Sequence, residues 1–244
     1  MRNTRLSFHE FLLTCMALAV SACSNVGLFD FGGTSWQEEA LLHDGTRIVV
    51  DRSVTRGGPR EIGQRGSYTK ETLSFTHPTT GKSISWQDKA TEDLRNSSFL
   101  PMAIDIYKGV VYLVASPMGC LSYNKRGRPN PPYVVFRHSG ENWERVPFQE
   151  LPLETNRPNL ISSSPDTEVE RLDKRFVDAE TIRKINSEFR QPWNKAILRE
   201  DLSKERLEQM CEERILYKGY WILPNAPFAR TIIDQRIKQG SMEQ

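Results

Sequence analysis

The chain has 244 residues, of which 38% are hydrophobic and 26% charged, enough apolar material for a packed core and too much for a disordered chain. Its 33 Lys and Arg against 31 Asp and Glu leave a formal charge of +2, which excludes the strong basic excess of a nucleic-acid-binding protein. Glycine and proline occur in ordinary proportion, so collagen-like and low-complexity architectures are excluded as well.

Residues 1–22 read as an export signal. Arg2 and Arg5 make a positive start, Phe11 to Val20 is an apolar stretch broken only by Thr14, and small residues follow. The stretch is about half of the ~20 residues that span a bilayer. Val20-Ser21-Ala22-Cys23 resembles the lipobox of bacterial lipoproteins. The resemblance implies that the Cys23 sulfur receives a diacylglycerol, that the leader is cut before Cys23, and that the new amino group is acylated. The alternative is an ordinary signal peptide cut near Ala22, with Cys23 incidental. Ser24 stands where members of that family held in the inner membrane tend to carry Asp, so the resemblance favours the outer membrane. Residues 23–35, with Gly27, Gly32 and Gly33, then form a tether, and the partner implied is a membrane reached through the lipid on Cys23.

Four hairpins are predicted between residues 36 and 150. Trp36 to His43 turns through Asp44-Gly45 into Thr46 to Val54, a strong hairpin signal. Glu71 to His77 turns through Pro78-Thr79-Thr80-Gly81 into Ser83 to Gln87. Met102 to Tyr107 turns at Lys108-Gly109 into Val110 to Ala115, and Tyr133 to His138 turns at Ser139-Gly140 into Trp143 to Phe148. Ser35-Trp36-Gln37-Glu38 echoes Ser85-Trp86-Gln87-Asp88, but two units cannot close a propeller. Two packed antiparallel sheets with buried tryptophans accommodate the same eight strands.

Composition changes after residue 160. Ser162 to Asp166 reads as a loop, and Asp166 to Glu180, with six acidic and three basic residues, as a solvated connector. Asp178 is placed to cap a helix through Arg190, and Asp201 a second through Glu213. Leu216 to Leu223 is β-rich, and a last helix starts at Asn225 with Pro227 in its first turn. The predicted fold is therefore α+β: a mainly antiparallel domain over 36–160 with a helical C-terminal part over 161–244 packed on it.

Cysteine arithmetic follows from the leader. Cys15 leaves with it and Cys23 is used by lipid, so Cys120 and Cys211 remain in a compartment that permits a disulfide. A bridge between them closes a loop of roughly 90 residues, for which chain entropy gives an upper figure of ~4–5 kcal/mol. Two buried free thiols are the alternative.

Motifs for catalysis are missing: no Gly-x-Ser-x-Gly elbow, phosphate loop, His-Glu-x-x-His or dinucleotide fingerprint occurs. No catalytic residue, metal ligand or cofactor is therefore assigned. His43, His77 and His138 each lie beside a predicted turn, where surface histidines are common. Asp44 is explained by its turn and Asp105 by strand alternation. Two segments stand out as basic. Arg52 to Lys70 reads as a long glycine-rich mobile loop offering Arg56, Arg60 and Arg65 to an anionic envelope ligand or an acidic partner, or else is a solvated hairpin extension. Gly119 to Tyr133, stiffened by three prolines, presents Tyr123, Lys125, Arg126 and Arg128, or else is a crossover pinned by Cys120.

WQEEALLHDGTRIVVDRSVTRGGPREIG, ETLSFTHP and GCLSYNKRGRPNPPYVVF resemble a family of exported bacterial proteins with no assigned activity. The resemblance spans roughly residues 35–190, implies export and a shared fold, and brings no catalytic residues. The sequence thus predicts a lipid-anchored protein of the cell envelope, facing the periplasm, that works as a binding or interaction module. The alternatives are an envelope hydrolase using one histidine with a carboxylate, and a structural envelope protein.

Overall fold

The computed structural model describes residues 33–57, 62–217 and 220–226, with 231 and 235. The chain divides into two compact units, Met1–Gly33 and Thr34–Gln244, and the fold is that of the second. The export signal, Cys23, most of the tether, Arg60 and most of the last predicted helix lie outside the described residues, although Thr231 and Gln235 are helical.

All four predicted hairpins form. They comprise β1 (Gly33–Leu41) with β2 (Arg47–Arg56), β3 (Tyr68–Thr76) with β4 (Ser83–Lys89), β5 (Phe99–Tyr107) with β6 (Val110–Pro117), and β7 (Val134–His138) with β8 (Trp143–Val146). Turn chemistry places them. Gly45 and Gly109 have φ of 88° and 78°, the left-handed region that glycine enters without cost. A short helix, α1 (Gly119–Lys125), joins β6 to β7. After β8 come α2 (Pro165–Leu172), β9 (Phe176–Val177), α3 (Ala179–Glu188), α4 (Lys204–Met210) and a small hairpin, β10 (Ile215–Tyr217) with β11 (Tyr220–Ile222).

The strands make a five-stranded sheet in the order β4-β3-β2-β1-β9 and a four-stranded sheet in the order β5-β6-β7-β8. Antiparallel pairing dominates, and among the described strands only β9 runs parallel to its neighbour, β1. One apolar cluster takes Val50, Leu73, Phe75 and Trp86 from the first sheet and Phe99, Ile104, Leu113 and Val134 from the second, so the two sheets share a core. Trp36 and Trp86 are both buried, as core-filling aromatics should be. Trp143 Nε1 donates to the Ser85 carbonyl and ties β8 to β4 at 2.7 Å.

The chain after β8 covers what the sandwich would expose. Leu151 and Ile197 pack on Met102, Val114 and Val135, on the face of the second sheet turned away from the shared core. Val169, Val177, Ile182 and Ile185 pack with Trp36, Val54 and Tyr68. The acidic stretch expected to be a solvated connector is instead α2 and β9, with Asp166, Val169 and Val177 buried. Its charges are matched locally: Asp166 meets Arg56, Glu168 meets Arg171, and Glu170 meets Arg65. Asp178 caps α3 as expected, accepting from Thr181 N at 2.8 Å. The cap of α4 is Ser203 rather than Asp201, and that helix buries no side chain completely.

Candidate functional site

The first basic segment is not a loop from Arg52 onward. Arg52 and Arg56 belong to β2, whose alternation points both toward the body. The Arg52 guanidinium is completely buried between two carboxylates, donating to Glu38 Oε1 at 3.0 Å and to Glu71 Oε1 at 2.7 Å. Glu38 also accepts from Trp36 Nε1 at 2.6 Å and from Ile161 N at 2.9 Å. Arg56 grips Asp166 through two nitrogens, at 2.7 and 2.9 Å, and its guanidinium lies over the Tyr68 ring. Burial would raise the Asp166 carboxyl, but the hydrogen bonds from Arg56 and Tyr68 hold it below its ordinary value. Arg65 pairs with Glu170 at the surface. Arg56 and Arg65, the two described arginines proposed as ligands in this first segment, are therefore already engaged by carboxylates of α2.

The second segment also turns inward. Cys120 and Cys211 form a disulfide with their Cα atoms 5.3 Å apart, so the bridge predicted from cysteine arithmetic is present. Tyr123 is buried, with its ring under the Arg128 guanidinium. Lys125 pairs with Asp93 at 2.6 Å, and Arg126 lies over the Phe99 ring at 4.4 Å. Arg128 donates to the Cys211 carbonyl at 2.9 Å. Asn124 donates to the Glu212 carbonyl and accepts from Arg214 N, while Asn130 exchanges two hydrogen bonds with the backbone of Leu202. What the sequence offers as a displayed basic loop is a clamp that seats residues 202–214. The crossover pinned by Cys120 is the arrangement found.

The histidines part company. His77 is buried and its Nδ1 accepts from Thr79 N and Thr80 N, which closes its turn. His138 packs edge-on against Trp143. His43 faces Asp105: its Nδ1 is 2.8 Å from Asp105 Oδ1, and Thr155 Oγ1 donates to Asp105 Oδ2 at 2.6 Å. The hydrogen bond to Asp105 raises the His43 pKa above its ordinary value, against the lowering effect of burial. The pair opens on a recess of 250 Å³ whose wall includes Glu154, Asn156 and Arg157. Strand alternation does not account for Asp105. Residues 99–105 of β5 are buried on both faces, because the segment 151–160 covers the outer one, with Asn159 bonding both backbone groups of Ile104.

Chemically, a buried carboxylate holding an imidazole by one nitrogen is how a general base is oriented. A nucleophile is a separate requirement. Among the described residues the one hydroxyl on the recess wall, that of Thr155, is spent on Asp105. Among the described residues no cluster of His, Cys, Asp and Glu has the makings of a metal site.

A second recess lies between the loop Ser162-Ser163-Ser164 and the corner where β6 meets α1. It is an open groove of 430 Å³ with Arg56, Asn96, Ser116, Trp193 and Asn194 among its walls.

No family model, curated protein or solved structure matches this chain. Sequence reasoning missed Asp105 and the groove, since the groove joins residues from six separate parts of the chain and no local pattern marks it.

Proposed function

We propose that the chain is an exported lipoprotein, anchored in the envelope by lipid on Cys23, facing the periplasm, whose body is a binding module. The observation that carries this reading is the cysteine assignment. The disulfide takes Cys120 and Cys211, and leader cleavage would take Cys15, so the one cysteine left over is the one in the lipobox. A structural disulfide belongs to an oxidising compartment. Two or three acyl chains hold a protein stably on a bilayer where one is marginal, and Ser24 favours the outer membrane. No helix among the described residues is long and apolar enough to cross a membrane. Cys23→Ala is expected to leave an uncleaved precursor and to abolish incorporation of a labelled fatty acid. A variant that is processed and fractionates like the wild type contradicts the reading.

The His43–Asp105 pair favours a second reading, an envelope hydrolase in which His43 is the base. As a base His43 must be neutral, so turnover would rise with pH through its raised pKa. Hydrolysis of p-nitrophenyl acetate by the wild type, lost in His43→Gln, would support it. Identical background rates in both proteins would remove it.

A further inference from the structure

We propose that the groove beside the Ser162-Ser163-Ser164 loop binds a neutral glycan carrying N-acetyl groups. The inference rests on the binding-module reading and supplies its ligand class.

Charge comes first. Among the described residues Arg56 is the one charged side chain on the wall of the groove, and both nitrogens it turns toward Asp166 are bonded there. An ionic ligand would meet no unmatched charge, and breaking the Arg56–Asp166 pair to make one would strand a buried carboxylate.

Hydrogen-bonding capacity is the second feature. Asn96, Ser116, Ser163 and Asn194 line the groove, and among the described residues none of their side chains has a hydrogen-bond partner. Asn194 is 8% exposed as a residue, and its amide, which no protein group bonds, stays in reach of solvent on the groove wall. Amides and hydroxyls both donate and accept, which matches the hydroxyls and acetamides of a sugar. Binding sites orient their ligands with a few such convergent polar groups on a mostly apolar wall.

Third, the groove continues into an apolar slot. A recess of 160 Å³ shares Ser116, Pro117, Gly119 and Trp193 with it and adds Pro132, Met210 and the disulfide. An acetamido group needs both surroundings at once: an apolar seat for its methyl and partners for its N–H and C=O. A plain glucan has nothing to fill the slot. An extended peptide would pair with a free strand edge, whereas this wall presents side chains.

The test is calorimetric titration of the detergent-solubilised full-length protein with chitotriose, the N-acetylglucosamine trimer, and with maltotriose. Chitotriose should bind saturably, and maltotriose about tenfold more weakly or worse, the loss of one well-seated group. Ser163→Ala and Asn194→Ala should each weaken chitotriose about three- to tenfold, the worth of one hydrogen bond. Ser163 is half-buried and no hydrogen bond ties its side chain to the body, so its variant keeps the test independent of folding. Absence of saturable chitotriose binding, equal binding of maltotriose, or indifference to both substitutions overturns the proposal. Those outcomes leave the anchoring experiment on Cys23→Ala untouched, so the ligand class can fail while the lipoprotein reading stands.

Discussion

Replacing Arg52 with alanine is expected to cost about 3–5 kcal/mol of stability, the loss typical of breaking a buried ion pair from one side. Arg52, Glu38 and Glu71 are all fully enclosed, and one cation faces two carboxylates. Such a cluster is neutral only if one carboxyl keeps its proton. Burial pushes the Glu71 pKa up to about 7, more than its bonds to Arg52 lower it, and its Oε2 has no hydrogen-bond partner. Glu71 is thus the carboxyl of the pair that holds a proton more readily, while the two oxygens of Glu38 receive four hydrogen-bond contacts from Trp36, Arg52 and Ile161. Without Arg52 the Glu38 charge has no counterion. Urea unfolding of Arg52→Ala and Arg52→Lys measures the effect, with the lysine variant intermediate because it keeps the charge and loses the two-sided fork. A loss no larger than the ~1 kcal/mol of an average substitution would contradict this account of the cluster.

The same cluster has a sign in pH. A carboxyl whose folded pKa is raised binds more protons folded than unfolded between its ordinary value and about 7. Its stabilising contribution is complete below that ordinary value and is lost as pH rises through about 7, with a slope of at most about 1.4 kcal/mol per pH unit. His43 acts in the same direction near its own raised pKa, so the wild-type slope alone does not isolate Glu71. Glu71→Gln does: it keeps an acceptor for Arg52, cannot ionise, and should be flatter than the wild type between pH 5 and 8.

The second large effect belongs to the disulfide. Replacing Cys120 and Cys211 with serine should cost about 2–5 kcal/mol. The loss should be uneven. The bridge spans 91 positions in the chain and holds the end of α4 against α1. Because α4 buries no side chain completely, side-chain packing alone secures it weakly, and the segment around it is further tied by hydrogen bonds to the α1–β7 connection: two at Asn124, two at Asn130 and one from Arg128 to the Cys211 carbonyl. Hydrogen exchange with and without a reductant should show α4 and the β10–β11 hairpin losing protection before the sheets. Sheets that loosen first, or a uniform loss, would show that the clamp is not where the bridge acts.

Much of the fold was legible because its signals are local. Asp44-Gly45, Lys108-Gly109 and Ser139-Gly140 name their own turns, and Asp178 names its helix. The disulfide was legible by elimination once the leader had been read. The site residues were not, because a charge in a sequence does not state what it meets. Arg52 is held by carboxyl groups 14 residues before and 19 after it, and Arg56 by one 110 residues away. The basic run after Cys120 looks like a displayed surface until Asp93, the Phe99 ring and the Cys211 carbonyl are placed against it. Asp105 reads as an outward residue only while the outer face of β5 is imagined bare. The groove walls share no motif at all.

The central claim is an exported body on a lipid anchor, closed by one bridge. Mass spectrometry of the protein extracted from membranes without reduction tests it most directly. The account predicts a mature chain beginning at Cys23, heavier than its sequence by the acyl groups, with the peptides holding Cys120 and Cys211 linked to each other. A chain with unmodified Cys23, or with Cys120 and Cys211 as free thiols, would contradict it.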